Sequence, residues 1–233
     1  MPDAEPALAA HWLLNETTGV VAHDISGHGN HGTVFGNAAW TADAGHAGIK
    51  LSPQAEVEYV EIPDAPVFQH ILTENYTVCA WFKPLSTPAE SALQNRGAYT
   101  ILSRSDGGWV LRYTKEQCFL LNTAREEIKS LPLSPGVFYH ITCVRTSGLA
   151  QLYINGALAD TRPVRGPNRP EPNAQTPHVW RIGCRDAGSS PMHWAAHGVV
   201  SDVRIYDRAL SETEIRLLSG NSVGTDEKSK EEF

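Results

Sequence analysis

The stretch Asp24-Ile-Ser-Gly-His-Gly-Asn-His-Gly32 lies just after the first strand-like run of the chain, residues 11–14. Its three glycines let the backbone turn sharply and enter positive φ, so that carbonyl oxygens converge on one point. Asp24 and Asn30 add side-chain oxygens of the kind that calcium prefers, in shells of roughly six to eight ligands. The loop therefore predicts a cation site that a residue from elsewhere in the sequence completes, and Asp202 is the best candidate.

Two other interpretations of this loop stay open. The loop can be a tight turn between two strands, in which Asp24 and Asn30 hydrogen-bond to their own backbone. Alternatively, His23, His28 and His31 can supply imidazoles to zinc, but their spacing matches no standard zinc pattern and no cysteine is nearby. The residues of the loop favour calcium over zinc, and they do not choose between calcium and the turn.

Length and charge narrow the class of protein. A chain of 233 residues fits two small domains or one large all-β domain. Its formal net charge of -7 and the absence of a lysine and arginine cluster argue against nucleic acid or an anionic membrane as a partner. No apolar run is as long as a membrane span, and the N-terminus lacks the basic and apolar regions of a signal peptide.

Most of the chain is expected to form short strands with turn chemistry between them. The clearest alternation of apolar and polar residues is in residues 57–62. Asn155-Gly156, between two strand-like runs, is the strongest short-range signal for a hairpin turn. The predicted strands are residues 11–14, 57–62, 76–83, 99–103, 109–113, 117–121, 138–145, 150–154, 179–183 and 198–206.

One helix is well specified near the C-terminal end. Ser211-Glu-Thr-Glu214 has the pattern of a capping box, apolar residues follow at positions 215, 217 and 218, and Gly220 is placed to end the helix. The proline-rich residues 162–177 are expected to form a long loop. Together these signals predict an all-β fold, a single antiparallel β-sandwich closed into a jelly roll with one short C-terminal helix.

Short motifs follow one another in a fixed order. They are Trp12 followed by the loop 24–32, Tyr59-Val-Glu-Ile-Pro63, Asn75-Tyr-Thr-Val-Cys-Ala-Trp-Phe82, Tyr139-His-Ile-Thr-Cys143, Leu152-Tyr-Ile-Asn-Gly156, Ile182-Gly183 and Val200-Ser-Asp-Val-Arg-Ile-Tyr-Asp-Arg-Ala-Leu-Ser211. The ordered set resembles a laminin G-like or pentraxin-like domain of the concanavalin A-like lectin/glucanase superfamily. We assign residues 8–221 to this domain and expect residues 222–233 to be a disordered tail or linker.

The resemblance implies a structural calcium site at which the loop after the first strand meets an aspartate of the last strand. It points to Asp24, Asn30 and Asp202 as side-chain ligands, with Gly27 and Thr33 as carbonyl donors. In pentraxins a separate pair of calcium ions binds ligand through an acidic cluster. The matching stretch here, Gly183-Cys-Arg-Asp186, lacks that run of carboxylates and amides, so we do not expect a pentraxin-type ligand site.

The resemblance also implies a disulfide between Cys79 and Cys143, which pentraxin-like domains join at the matching positions. The alternative is two buried reduced thiols that act as small apolar residues. Cys118 and Cys184 are then the remaining cysteines, and nothing in the sequence places them together. An even number of cysteines and a calcium loop favour an extracytoplasmic or secreted protein. A cytoplasmic protein is the alternative, because no signal peptide is present.

Enzymes that cleave glycans occur on this fold, so catalytic carboxylates are the next question. Glu58 and Glu61 are the nearest candidates, but their spacing places them on opposite faces of one strand. Motifs for a nucleophilic serine or cysteine and for phosphate binding are absent from the sequence. A non-catalytic module is therefore favoured, with a polysaccharide-cleaving glycosidase or lyase, or a purely structural adhesion domain, as the alternatives.

A recognition module needs flat apolar surfaces and directional hydrogen bonds to bind carbohydrate or a protein surface. The segment from Arg185 to Trp194 supplies such a mixture, and Trp109 follows a glycine turn. The candidate ligand-binding residues are Trp109, Arg185, Asp186, His193 and Trp194. The alternative for Trp109 and Trp194 is a place in the core, as expected for Trp12, Trp81 and Trp180.

Overall fold

The computed structural model describes residues 7–52, 57–69, 75–89, 97–104, 109–123, 127–164, 179–185 and 194–220. Over these residues the chain forms two antiparallel β-sheets and two short helices. The expected tail, the greater part of the proline-rich loop, and the candidates Asp186 and His193 lie outside the described residues.

The strands are short and follow one another closely along the chain. In order they are β1 (Leu8–Trp12), β2 (Val21–Ala22), β3 (Gly32–Phe35), β4 (Ala39–Asp43), β5 (His46–Leu51), β6 (Tyr59–Ile62), β7 (Tyr76–Pro84), β8 (Ala98–Arg104), β9 (Trp109–Thr114), β10 (Phe119–Thr123), β11 (Glu127–Lys129), β12 (Tyr139–Arg145), β13 (Leu149–Ile154), β14 (Ala157–Pro163), β15 (Trp180–Ile182) and β16 (Gly198–Tyr206). The helices are α1 (Pro66–Gln69) and α2 (Glu212–Leu218).

Each sheet has eight strands in the described part of the chain. Sheet A has the order β14-β13-β12-β7-β16-β5-β4, with β1 also paired to β16, and sheet B has the order β11-β10-β9-β8-β15-β6-β3-β2. The first and last strands are thus neighbours in sheet A, and Trp12 of β1 pairs with Val203 of β16. The predicted antiparallel β-sandwich with a short C-terminal helix is confirmed.

The core lies between the two sheets. Alternation along β9 puts Trp109, Leu111 and Tyr113 into this core, where all three are fully buried. Trp12 and Trp180 are equally buried. Because large aromatic side chains bury much apolar surface, these tryptophans contribute strongly to the stability of the sandwich.

The helix α2 covers part of the outer face of sheet A. The predicted capping box is present, since the Ser211 side chain accepts the Glu214 amide and the Glu214 side chain accepts the Ser211 amide. Gly220 has φ 74°, as expected for the residue that ends the helix. Ile215 is buried under the helix in a small apolar cluster with Leu8, Cys79 and other residues of sheet A. None of the helices that the described residues form is long and apolar enough to cross a membrane.

The hairpin prediction at Asn155-Gly156 is confirmed. Both residues have positive φ, 51° and 78°, and they join β13 to β14. The strands β2 to β5 and β11 were not predicted. The sequences of β4 and β5, AWTAD and HAGIKL, contain alanine, glycine and charged residues of low β-propensity, so their conformation depends on pairing with each other and with β16.

The predicted disulfide between Cys79 and Cys143 is wrong, because both cysteines are free. The register of β7 and β12 pairs Cys79 with Thr142 and Cys143 with Val78. Side chains alternate along a strand, so this one-residue offset places the two sulfurs on opposite faces of sheet A. Cys143 lies in the main core and Cys79 lies under α2. The alternative of buried thiols therefore holds, and burial raises the pKa of Cys143 above its ordinary value.

Candidate functional site

The loop after β1 is organised around the carboxylate of Asp24. One oxygen accepts the backbone amides of His11 and Ser26, at 3.0 and 2.9 Å, and the other accepts the amide of Asn30 at 2.8 Å. The Asn30 carbonyl accepts the indole N–H of Trp12 at 2.8 Å. These bonds tie the loop to itself and to β1, which is the geometry expected of the tight-turn interpretation.

Asp202 lies at a bulge in β16. The register of β16 against β7 shifts between Ser201 and Arg204, and Asp202 has φ 46°. A bulge re-aims a side chain, and here the Asp202 carboxylate contacts the imidazole Nε2 of His11 at 2.7 Å and the guanidinium of Arg204 at 2.8 and 2.9 Å. His11 therefore links the two predicted calcium ligands, with its backbone amide on Asp24 and its ring on Asp202.

Both carboxylates are stabilised in their charged form. Burial alone raises the pKa of Asp202, but hydrogen bonds from His11 and Arg204 and the positive charge of Arg204 outweigh burial and hold the pKa below its ordinary value. Burial likewise raises the pKa of Asp24. The hydrogen-bond donors around its carboxylate have the larger, opposite effect, so the pKa lies below its ordinary value. The charge of Asp202 is already balanced by a cationic side chain.

This arrangement does not fit the predicted calcium site. The oxygens of Asp24 and Asp202 have protein donors, and a calcium ion would have to displace the Arg204 guanidinium from Asp202. The side-chain amide of Asn30 donates to the Ala9 carbonyl at 3.3 Å, and Thr33 lies in β3. The described residues contain no group of three or more His, Cys, Asp or Glu that would hold a metal ion, and this includes the zinc alternative.

A different cluster lies on the outer face of sheet B. Alternation along β9 puts Arg112 on the face opposite the core, next to Thr100 on β8. The Arg112 guanidinium lies 5.3 Å from the ring centroid of Trp194, and the Arg185 guanidinium lies 5.3 Å from the same centroid. Both distances are within the range of a cation–π interaction. We call Arg112, Arg185 and Trp194 the arginine–tryptophan cluster.

Hydrogen bonds with β8 hold the segments that carry Trp194 and Arg185 in place. The Trp194 carbonyl accepts the amide of Thr100 at 2.8 Å, and the Cys184 carbonyl accepts the hydroxyl of Ser103 at 2.7 Å. Trp194 itself has φ 55°, a conformation that non-glycine residues rarely adopt and that concentrates at functional sites. Rigid strands therefore position both guanidinium groups around a half-buried indole.

Positive charge is concentrated in this cluster at some energetic cost. Burial and the positive charge of Arg185 lower the pKa of Arg112, Glu127 raises it, and the net result is a pKa of about 10. Burial also lowers the pKa of Arg185. The Nε atoms of both arginines are buried and have no hydrogen-bond partner within the part of the chain that the structure describes.

The structure places the candidate ligand-binding residues in different environments. Arg185 and Trp194 are brought together, as their closeness in sequence suggested. Trp109 is corrected to a core residue, because it is fully buried and its indole N–H donates to the hydroxyl of Tyr76 at 3.1 Å. Arg112 was missed by sequence reasoning. The only sequence signal for it is its outward position in a strand of alternating apolar residues, which does not reveal Trp194 as its neighbour.

The carboxylates considered for catalysis have other partners. Glu61 forms an ion pair with Arg181 at 2.9 Å, and Glu58 accepts the backbone amide of Ser52 at 2.7 Å. Glu58 is buried, at 5% exposure. A retaining or inverting glycosidase needs two carboxylates that face one bond of the substrate, and these two residues do not provide that arrangement.

Two stacked antiparallel sheets with this connectivity define a β-sandwich of the concanavalin A-like class. Residues 55–216 match the Laminin_G_3 family model, which is described as the concanavalin A-like lectin/glucanases superfamily, and the chain belongs to this family. No curated protein matches the chain in sequence.

Solved structures of the same fold include binding proteins and an enzyme. The binding domain of botulinum neurotoxin DC, solved in complex with rat synaptotagmin II, has a TM-score of 0.65 and 16% identity over 92% of this chain and 51% of that chain. A botulinum neurotoxin type C structure, described with cell entry that depends on two ganglioside molecules, has a TM-score of 0.65 and 17% identity over 92% of this chain and 51% of that chain.

The enzyme is a Trypanosoma rangeli sialidase in complex with a difluoro sugar acid. Its TM-score is 0.66 and its identity is 18%, over 95% of this chain and 34% of that chain. The chain thus spans half the length of the toxin structures, at 51%, and a third of the sialidase, at 34%. At these identities the likeness shows the fold alone.

Proposed function

We propose that this chain is a non-catalytic recognition module that binds glycan through the arginine–tryptophan cluster on the outer face of sheet B. The observation that supports this proposal is the strained, half-buried Trp194 with two guanidinium groups on its ring. An indole with adjacent hydrogen-bond donors combines an apolar contact surface with directional polar groups, which is the chemistry of sugar recognition. The partners of Glu58 and Glu61 support the non-catalytic part of the proposal.

In this proposal the first and last strands are joined by the Asp202 network, with His11 and Arg204 in the place of a calcium ion. The module therefore binds its ligand without a metal. A protein surface is the other candidate partner. If that surface is acidic, the positive charges of the cluster complement it in the same way.

A glycan array with and without chelator tests the proposal. The wild-type protein is expected to bind a subset of glycans equally with EDTA and with calcium, and Trp194→Ala is expected to lose this binding. Phe35→Ala is the matched control, because Phe35 is an exposed aromatic residue on β3 of the same sheet. Failure of the wild type to bind any glycan would contradict the proposal, as would full binding by Trp194→Ala.

Turnover is the test of the enzymatic alternative. The polysaccharides that bind on the array are incubated with the wild type and with Glu58→Gln, and reducing ends are counted over time. We expect no turnover by either protein. Cleavage by the wild type that Glu58→Gln abolishes would show that the module is a glycosidase or lyase.

A further inference from the structure

We infer that the ligand of the arginine–tryptophan cluster is an acidic glycan, a sugar chain that carries carboxylate or sulfate groups. This inference rests on the proposed function, because it takes the ligand to be a glycan and specifies its chemistry. Its main evidence is that the guanidinium groups of Arg112 and Arg185 lie on one indole ring, each 5.3 Å from the centroid.

Two like charges that share one ring repel each other, and partial burial removes water that would screen them. Both effects lower the pKa of Arg112, which is about 10 although the charge of Glu127 raises it. An anion bound between the guanidinium groups would replace the lost hydration and neutralise both charges. The free protein therefore holds two positive charges close together, and a bound anion would reduce the repulsion between them.

The hydrogen-bond donors of the cluster point to the same ligand class. The Nε–H groups of Arg112 and Arg185 are buried without acceptors among the described residues, so a ligand at the surface would reach these guanidinium groups through their terminal Nη donors. The two Nη groups of a guanidinium form a planar pair of donors that matches the oxygens of carboxylate and sulfate groups. A neutral sugar hydroxyl satisfies one donor at a time and does not balance the charge.

The sheet holds the arginines of the cluster in place before a ligand binds. Arg112 lies within β9, between neighbours on β8 and β10, and Arg185 follows Cys184, whose carbonyl is bonded to Ser103. Because both guanidinium groups already lie beside the indole, less rotamer entropy remains to be lost on binding. Trp194 then offers its exposed part to the apolar side of the sugar ring.

The test uses three polymers with one backbone: dextran, carboxymethyl dextran and dextran sulfate. Binding to the wild type is measured by isothermal titration calorimetry in EDTA at low salt. Both acidic polymers are expected to bind at least tenfold more tightly than dextran, since a charge-assisted hydrogen bond is roughly twice as strong as a neutral one. The carboxylate and sulfate arms show which oxyanion the site prefers.

Variants show whether the cluster causes this preference. Arg112→Gln and Arg185→Gln are each expected to weaken binding to the acidic polymers about tenfold or more and to weaken dextran binding much less, because only the acidic polymers lose a charge-assisted contact. Arg216→Gln is the control for general charge, because Arg216 is an exposed arginine on α2. Urea midpoints of all variants confirm that the proteins are folded. Arg112→Lys keeps the charge but loses the planar fork, and is expected to recover only part of the affinity.

The outcomes separate this inference from the proposed function. Equal affinity for dextran and its acidic derivatives, or acidic binding that survives both arginine substitutions, would overturn the inference and leave glycan recognition standing. If poly-glutamate binds as tightly as the acidic dextrans, with the same arginine dependence, the inference is overturned and the ligand of the cluster is an acidic polypeptide. No binding to either acidic polymer would also overturn the inference, while the array result still decides the proposed function.

Discussion

Asp202 connects the last strand of the chain to the first strand and to the loop that follows the first strand. Its left-handed φ of 46° and the bulge of β16 turn the carboxylate toward His11 and Arg204. His11 in turn gives its backbone amide to Asp24. One residue on the last strand thereby connects to the first strand and, through His11, to the loop that follows it.

Replacement of Asp202 by Asn tests this network. We expect Asp202→Asn to lower the free energy of unfolding by about 3 kcal/mol, because the mutation leaves the half-buried Arg204 without its carboxylate partner. Urea denaturation in EDTA and in calcium measures the effect. Asp207→Asn is the matched control, because Asp207 is an exposed aspartate directly after the end of β16. Equal destabilisation of both variants, or a wild type that calcium stabilises markedly, would contradict the account.

The pH dependence of stability has a separate source in His140. Burial lowers the pKa of this side chain to about 4, from an ordinary value of 6.5. The unfolded chain takes up a proton as the pH falls below about 6.5, and the folded chain does so only near 4, so stability is lost over this interval. The loss amounts to about 3 kcal/mol. Urea titrations at pH 7 and pH 4.5 check it.

In His140→Phe the same loss is expected to shrink, because the ring no longer titrates and still packs beside Trp81. Substitution of the exposed His28 by Gln serves as the control. An unchanged pH dependence in His140→Phe would assign the acid sensitivity to other groups.

The elements of this fold were predictable to different degrees. The capping box of α2 and the hairpin at Asn155-Gly156 are local patterns whose geometry follows from a few adjacent residues, and both were found. β4 and β5 were missed because their residues have weak strand propensity and depend on β16, far away in sequence. The disulfide prediction failed for a related reason, since register between β7 and β12 is a property of two strands together.

The contact between the β13–β14 hairpin and α2 is testable at Gly156. A Cβ at this position would lie 2.5 Å from Ser219 Oγ and 3.2 Å from the Arg216 backbone, and Gly156 has φ 78°. We expect Gly156→Ala to lower the free energy of unfolding by about 2–3 kcal/mol, from backbone strain and the displaced helix end.

Gly45→Ala supplies the matched control. Gly45 also has positive φ, 84°, but nothing lies within 4 Å of its added Cβ, so only the strain of about 1–2 kcal/mol remains. Thermal or urea unfolding of both variants gives the difference. Equal costs would mean that the hairpin does not depend on α2.

At the scale of the whole molecule, the sandwich brings together residues that no local pattern connects. Arg112 lies on β9, while Arg185 and Trp194 lie in the connection between β15 and β16, and the outer face of sheet B makes them neighbours. The sequence indicated Arg185 and Trp194 by composition alone. The third member and the cation–π geometry depend on strand order, which the sequence did not reveal.

The central claim is that the arginine–tryptophan cluster is the surface that meets the ligand. The most direct measurement is an NMR titration that follows the Nε–H signals of Arg112 and Arg185 and the indole N–H of Trp194. The ligand is the acidic dextran that binds more tightly in calorimetry, added in EDTA. We predict that these three signals shift together and saturably, with the loop at residues 24–32 unchanged. Shifts confined to that loop, or to residues of sheet A, would contradict the account.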